Sequence, residues 1–159
     1  MNITSKVFVF ISILFFLPSV LAEDNKNLTE HQKWLKDTFA EQHNQLIPVV
    51  AVANMFFACN QDNNQKYGDH ALKVLITKMD KAELAEKLSS CLAGESVNSE
   101  VAINYGLMGC FDDQLSGLSA DEKKQRMVLV TKAINSLSFA EKKQSFTQCV
   151  TDQAISYLT

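Results

Sequence analysis

Val52-Ala53-Asn54-Met55-Phe56-Phe57-Ala58-Cys59 and Ile103-Asn104-Tyr105-Gly106-Leu107-Met108-Gly109-Cys110 are two apolar octets, each ending in cysteine, that lie 51 positions apart. A second correspondence follows them. Asp80, Ala82, Glu83, Leu88 and Cys91 fall on Ser138, Ala140, Glu141, Phe146 and Cys149 at an offset of 58. The difference of seven fits an insertion around 115–121, where Ser116-Gly117-Leu118-Ser119 makes a turn. Self-similarity at near-constant offset reads as duplication of one structural unit.

The unit is helical. The chain has only five glycines and two prolines, and its apolar residues recur every three or four positions, the helical period. Asp80 to Glu83, Ser119 to Glu122 and Ser138 to Glu141 each set a capping acceptor three residues before a glutamate, the pattern that satisfies the free N–H groups of a first turn. The reading is therefore all-α, a compact bundle of about seven helices. One unit occupies about 48–94, with helices at 48–60, 69–79 and 81–93. The other occupies about 99–157, with helices at 99–114, 120–136 and 139–157. Ahead of both, a helix over 29–46 is capped by Thr29 with Gln32 at its third position and stopped by Ile47-Pro48, because the residue before a proline disfavours helical backbone. Its stripe of Trp34, Leu35, Phe39 and Leu46 is expected to lie over the joint core. The 48–60 helix is apolar on nearly every side and so is a buried central helix. Its counterpart carries Gly106 and Gly109, which predicts that the two cross closely, with Ala51, Ala58, Gly106 and Gly109 near the crossing.

Residues 1–22 read as a secretory signal peptide. One Lys6 precedes the apolar run Val7 to Leu21, and Val20-Leu21-Ala22 forms a cleavage site before Glu23-Asp24. The run is shorter than the roughly 20 residues that span a bilayer. Cleavage leaves 137 of the 159 residues, 23–159, as a single helical domain. With Lys6 gone, fourteen basic side chains face eighteen acidic ones, a net charge of minus four. Such a balance does not suit nucleic acid or an anionic membrane surface, and no cysteine follows the cut to carry a lipid anchor.

Cys59, Cys91, Cys110 and Cys149 all lie beyond the leader, and an even count in an exported chain implies two disulfides. Their wide spacing suits neither a zinc ribbon nor a CxxC redox pair. All three connectivities are compatible with exchanging the two units, so symmetry does not choose. Local closure favours Cys59–Cys91 and Cys110–Cys149, each worth about 3–4 kcal/mol in the chain-entropy account.

No residue set carries chemistry. His31, His43 and His70 lack the i, i+4 pairing of a zinc helix and read as solvated or capping residues. Asn60-Gln61-Asp62-Asn63-Asn64 alternates oxygen side chains as a calcium loop does, yet Gln65 stands at the sixth place and Ala71 at the twelfth, where glycine and a bidentate glutamate belong. Asp112-Asp113 reads as solvated, since adjacent helical side chains point apart. A nucleophile elbow, an unpaired cysteine and a glycine-rich phosphate loop are all missing. The expectation is a non-enzyme with no catalytic residue, metal or cofactor.

Two function classes remain. The first is a periplasmic protein-binding module, an inhibitor or immunity protein blocking a toxic hydrolase, and an acidic surface would steer it towards a basic one. Recognition would then sit in the polar links Gln61 to Asp69 and Ser116 to Asp121, with Asp62, Asn63, Asn64, Tyr67 and Asp69 as the partner-binding residues. The alternative is a secreted carrier of a small apolar ligand, its cavity lined from ten phenylalanines and five methionines. Core filling accounts for most of those. The sequon Asn27-Leu28-Thr29 would take a glycan in a eukaryotic pathway, but short length and sparse cysteines fit a periplasm better than an extracellular space.

Overall fold

The computed structural model describes residues 29–158; the expected leader and Asn27 of the sequon lie outside them. Six helices follow one another, α1 (Glu30–Asp62), α2 (Leu72–Thr77), α3 (Lys81–Leu92), α4 (Glu100–Gln114), α5 (Ala120–Ser136) and α6 (Phe139–Ser156). The described residues contain no strand. The two disulfides are Cys59–Cys91, joining α1 to α3, and Cys110–Cys149, joining α4 to α6. This is the locally closed pairing.

Six helices replace the expected seven because Pro48 lies inside α1 and does not end it. Proline removes one N–H and crowds the carbonyl four residues back, a local cost opposed here on both sides. Before it, the Thr29–Gln32 capping box starts the helix and His43 Nε2 donates to the Thr151 carbonyl of α6, 3.0 Å away. After it, Val50, Ala53 and Phe56 are fully buried. The helix axis is fixed by those contacts, and one missing hydrogen bond does not outweigh them. At 33 residues and about 1.5 Å per residue, α1 runs roughly 50 Å.

That length overturns a second expectation. The first three turns of α1 overhang the body, so Trp34 is 59 % exposed, Phe39 53 % and Leu35 45 %. Only Leu46 of the expected stripe packs against the core. The other helix starts behave as read. Ser119 and Ser138 form reciprocal capping boxes with Glu122 and Glu141. Asp80 accepts from the Ala82 and Glu83 N–H groups without a return bond from Glu83. Hydrogen bonds from those serines hold the Glu122 and Glu141 carboxyls below their ordinary range.

The core lies where α1 and α4 cross, with α3 on α1 and α6 on both. Phe56, Leu75, Leu84, Leu88 and Leu107 are the large side chains wholly removed from water, each worth about 1.5–3 kcal/mol of transfer free energy. Of the four small residues expected at the crossing, Gly109 is in direct contact: a Cβ there would collide with the Asn54 backbone carbonyl of α1. Ala58 lies beside it. Gly106 instead faces the Phe146 ring of α6, and Ala51 lines an open groove together with residues of α4 and α6. Lys142, 4 % exposed, enters this interior from α6 with its ammonium 2.6 Å from the Glu100 carboxylate of α4.

Two substitutions test these contacts. Gly109→Ala should destabilise by about 1–3 kcal/mol, the range for overpacking, read as a lowered denaturant midpoint with unchanged slope. Pro48→Ala should restore the missing hydrogen bond and raise stability by up to about 3 kcal/mol, with a protected amide appearing at position 48, where the parent has none, and slower exchange at its neighbours. Unchanged stability in both would dissociate the fold from the α1 contacts described.

Candidate functional site

The link after α1 is a built turn. Asn60, 4 % exposed, donates from Nδ2 to the Gly68 carbonyl and accepts from the Tyr67 N–H. Asn64 and Gln65 take left-handed backbone angles, φ 53° and 58°, which asparagine tolerates better than most residues. The five expected partner-binding residues divide accordingly. Asp62 accepts from the Tyr105 hydroxyl at 2.7 Å, Asn63 donates to the Cys59 carbonyl and to Cys91 Sγ, and the Tyr67 hydroxyl donates to the Ser90 carbonyl. These three brace the link against α4, the disulfide and α3. Asn64 and Asp69 are exposed. Asn60 Oδ1 and Asp62 Oδ2 are thus spent on local bonds, and no group of three or more His, Cys, Asp or Glu side chains is placed to hold a metal among the described residues.

Asp112 and Asp113 point apart, as expected, but neither is simply solvated. Asp112 pairs with Lys123 of α5 at 2.8 Å. Asp113 ends a polar chain through the interior: Asn54, fully buried, donates to Gln153 Oε1 at 2.6 Å, and Gln153 donates to Asp113 Oδ2 at 2.7 Å. The Tyr157 hydroxyl donates to the other Asp113 oxygen at 3.3 Å. Burial and the neighbouring Asp113 charge and hydrogen bond push the Tyr157 phenol up to about 12. The histidines are spread out: His31 stacks on Trp34, His43 ties α1 to α6, and His70 lies against Phe56.

Besides a small apolar groove of about 160 Å³ against α3 at Pro48, Val49 and Val52, two surface grooves flank α1. One, of about 230 Å³, lies between α1 and α4 around Ala58 and Gly109, with Asp62, Tyr105 and Asp112 on its walls. The other, of about 390 Å³, is floored by Ile47, Ala51 and Met55 of α1, Ile103 of α4 and Phe146 and Val150 of α6. Val97 and Asn98, from the link before α4, make one lip, and Thr147 and Lys143 of α6 the other. Val97, 46 % exposed, is the apolar member of a rim otherwise made of Asn98, Thr147 and Lys143. The groove's floor is apolar, and the overhang rises from its Ile47 end.

The sequence did not point to this groove. The 48–60 stretch is apolar all round, so periodicity could not say which face stays open. A weak signal for the overhang existed: Glu30, Lys33, Lys36, Asp37 and Glu41 crowd the same turns as Trp34 and Phe39. Comparison of the chain with protein-family models, with curated proteins and with solved structures finds no match in any of the three. No helix among the described residues is long and apolar enough to cross a membrane.

The polar chain gives a pH prediction. Because the folded state raises the Tyr157 pKa above its ordinary 10, its contribution to stability is complete below pH 10 and declines from about 10 to 12. The hydrogen bond to Asp62 raises Tyr105 as well; absorbance titration of the phenols should show a tyrosine ionising at about 12 that Tyr157→Phe removes. The variant should lose less stability than the parent across that window; parallel curves would disprove the assignment.

Proposed function

We propose that this chain is an exported, non-enzymatic protein-binding module of the periplasm, of inhibitor or immunity type, that blocks a hydrolase. The observation that carries the reading is the overhang of α1. Trp34, Leu35 and Phe39 stand in water on a helix segment too short to be stable alone, anchored to a body held by two disulfides. Aromatic anchors on a rigid element are the groups that dominate protein interfaces. The two disulfides and the absence of a membrane-spanning helix among the described residues are compatible with export. Net acidity favours a basic partner. Asn64 and Asp69, at the far end of α1, form the second candidate patch.

The helices after Pro48 are read, in the same proposal, as two diverged copies. Supporting this, α1 and α3 are bridged as α4 and α6 are. Asn63 and Gln114, 51 positions apart, each donate a side-chain amide to the sulfur of their unit's second cysteine, at 3.3 and 3.2 Å. Leu88 and Phe146 are both buried at the offset of 58.

Native mass spectrometry of the protein taken from its host's envelope, with and without reductant, tests the function. A companion of kilodalton mass is expected, and Trp34→Ala with Phe39→Ala should weaken its binding by about 2 kcal/mol or more. Thermal stability should change little, since both side chains are exposed. Loss on Asn64→Ala with Asp69→Ala alone would move the docking surface to the link. A companion of a few hundred daltons and no protein would overturn the reading in favour of a carrier.

A further inference from the structure

We propose that the groove between α1 and α6 is a binding site for a single-chain aliphatic carboxylate, held by apolar contact along the floor and by Lys143 at the mouth. The site is independent of the docking role proposed for the overhang. Its volume of about 390 Å³ falls within the roughly 300–1,000 Å³ of small-ligand sites. Its floor is core: Met55, Ile103, Phe146 and Val150 are each 3–6 % exposed, so it does not collapse to exclude a ligand. From Ile47 to Met55 the trough runs about 12 Å along α1, long enough for a medium-length acyl chain and short for the three or four turns of a docked helix. The walls are α-helices and the link before α4, with no strand among the described residues, so an extended peptide would find no sheet edge to pair with. The groove thus selects against polar chains and offers one charge.

That charge is Lys143. It is the charged residue among those lining the groove, and its ammonium rests 4.7 Å from the centre of the Phe139 ring. No carboxylate pairs with it among the described residues. A cation parked on an aromatic face at the end of an apolar trough is free to turn to an anionic head group, with the Asn98 side-chain amide on the facing lip as a further hydrogen-bond donor; the Thr147 hydroxyl is already given to the Lys143 carbonyl. Neighbouring Lys142 does not compete, being bound to Glu100.

Titration of the oxidised protein with dodecanoate, dodecanol and dodecyltrimethylammonium, by calorimetry and by amide chemical shifts, tests the assignment. Dodecanoate should bind at one saturable site with shifts centred on Ala51, Val97 and Thr147. Dodecanol should bind about threefold to tenfold more weakly and the cation not measurably, as expected for one charge-assisted contact at a partly exposed mouth. Lys143→Gln should bring dodecanoate down to the level of the alcohol and leave the alcohol unchanged. Ala51→Phe should fill the trough and abolish binding of both; Thr147→Trp, at an exposed position, obstructs it from the opposite wall if Ala51→Phe does not fold. Absence of saturable binding, equal affinity for acid and alcohol, or indifference to Lys143→Gln would each overturn the proposal. So would loss of a protein companion from the groove-filling variants without any dodecanoate binding by the parent, which would make the groove a protein-docking surface.

Discussion

The contact on which the structure depends is the meeting of Gly109 with the Asn54 carbonyl. At this point α4 has no side chain, and its backbone approaches that of α1 so closely that a methyl group would collide. Everything else is arranged around the resulting pair. Each helix of the pair carries its own disulfide to a later helix, and the large buried side chains fill the angles between them. Close approach also dictates polarity: Asn54, buried at the crossing, donates from its amide nitrogen to the Val50 carbonyl and to Gln153, which in turn donates to Asp113, while its own Oδ1 has no hydrogen-bond partner among the described residues. The bonded nitrogen offsets part of the cost of burying a polar group there.

A rigid pair at the centre explains why the margins can be irregular. α1 passes through a proline and overhangs the body because its second half is over-determined by packing while its first half needs only a cap and the His43 tie to hold direction. The same crossing leaves troughs on either side of α1, since α3, α4 and α6 do not cover its whole circumference. The exposed aromatics and the apolar trough are consequences of one long helix meeting a body shorter than itself.

Local signals were legible in the chain, and tertiary ones were not. Helix type, the starts at Thr29, Asp80, Ser119 and Ser138, and the local disulfide pairing rest on interactions between residues near in sequence or on loop closure, so the sequence by itself determined them. Whether Pro48 stops a helix, whether Trp34 and Phe39 are covered, which helix Gly106 faces and where Asp113 sends its oxygens depend on what arrives from elsewhere in the chain. Only the tertiary structure decided those. The physical reason is that a propensity or a cap is worth about 1 kcal/mol locally, whereas the position of a 33-residue helix is set by the summed burial of side chains from four other helices. The apolar pattern identifies what must be buried somewhere; it does not say which apolar face is left over.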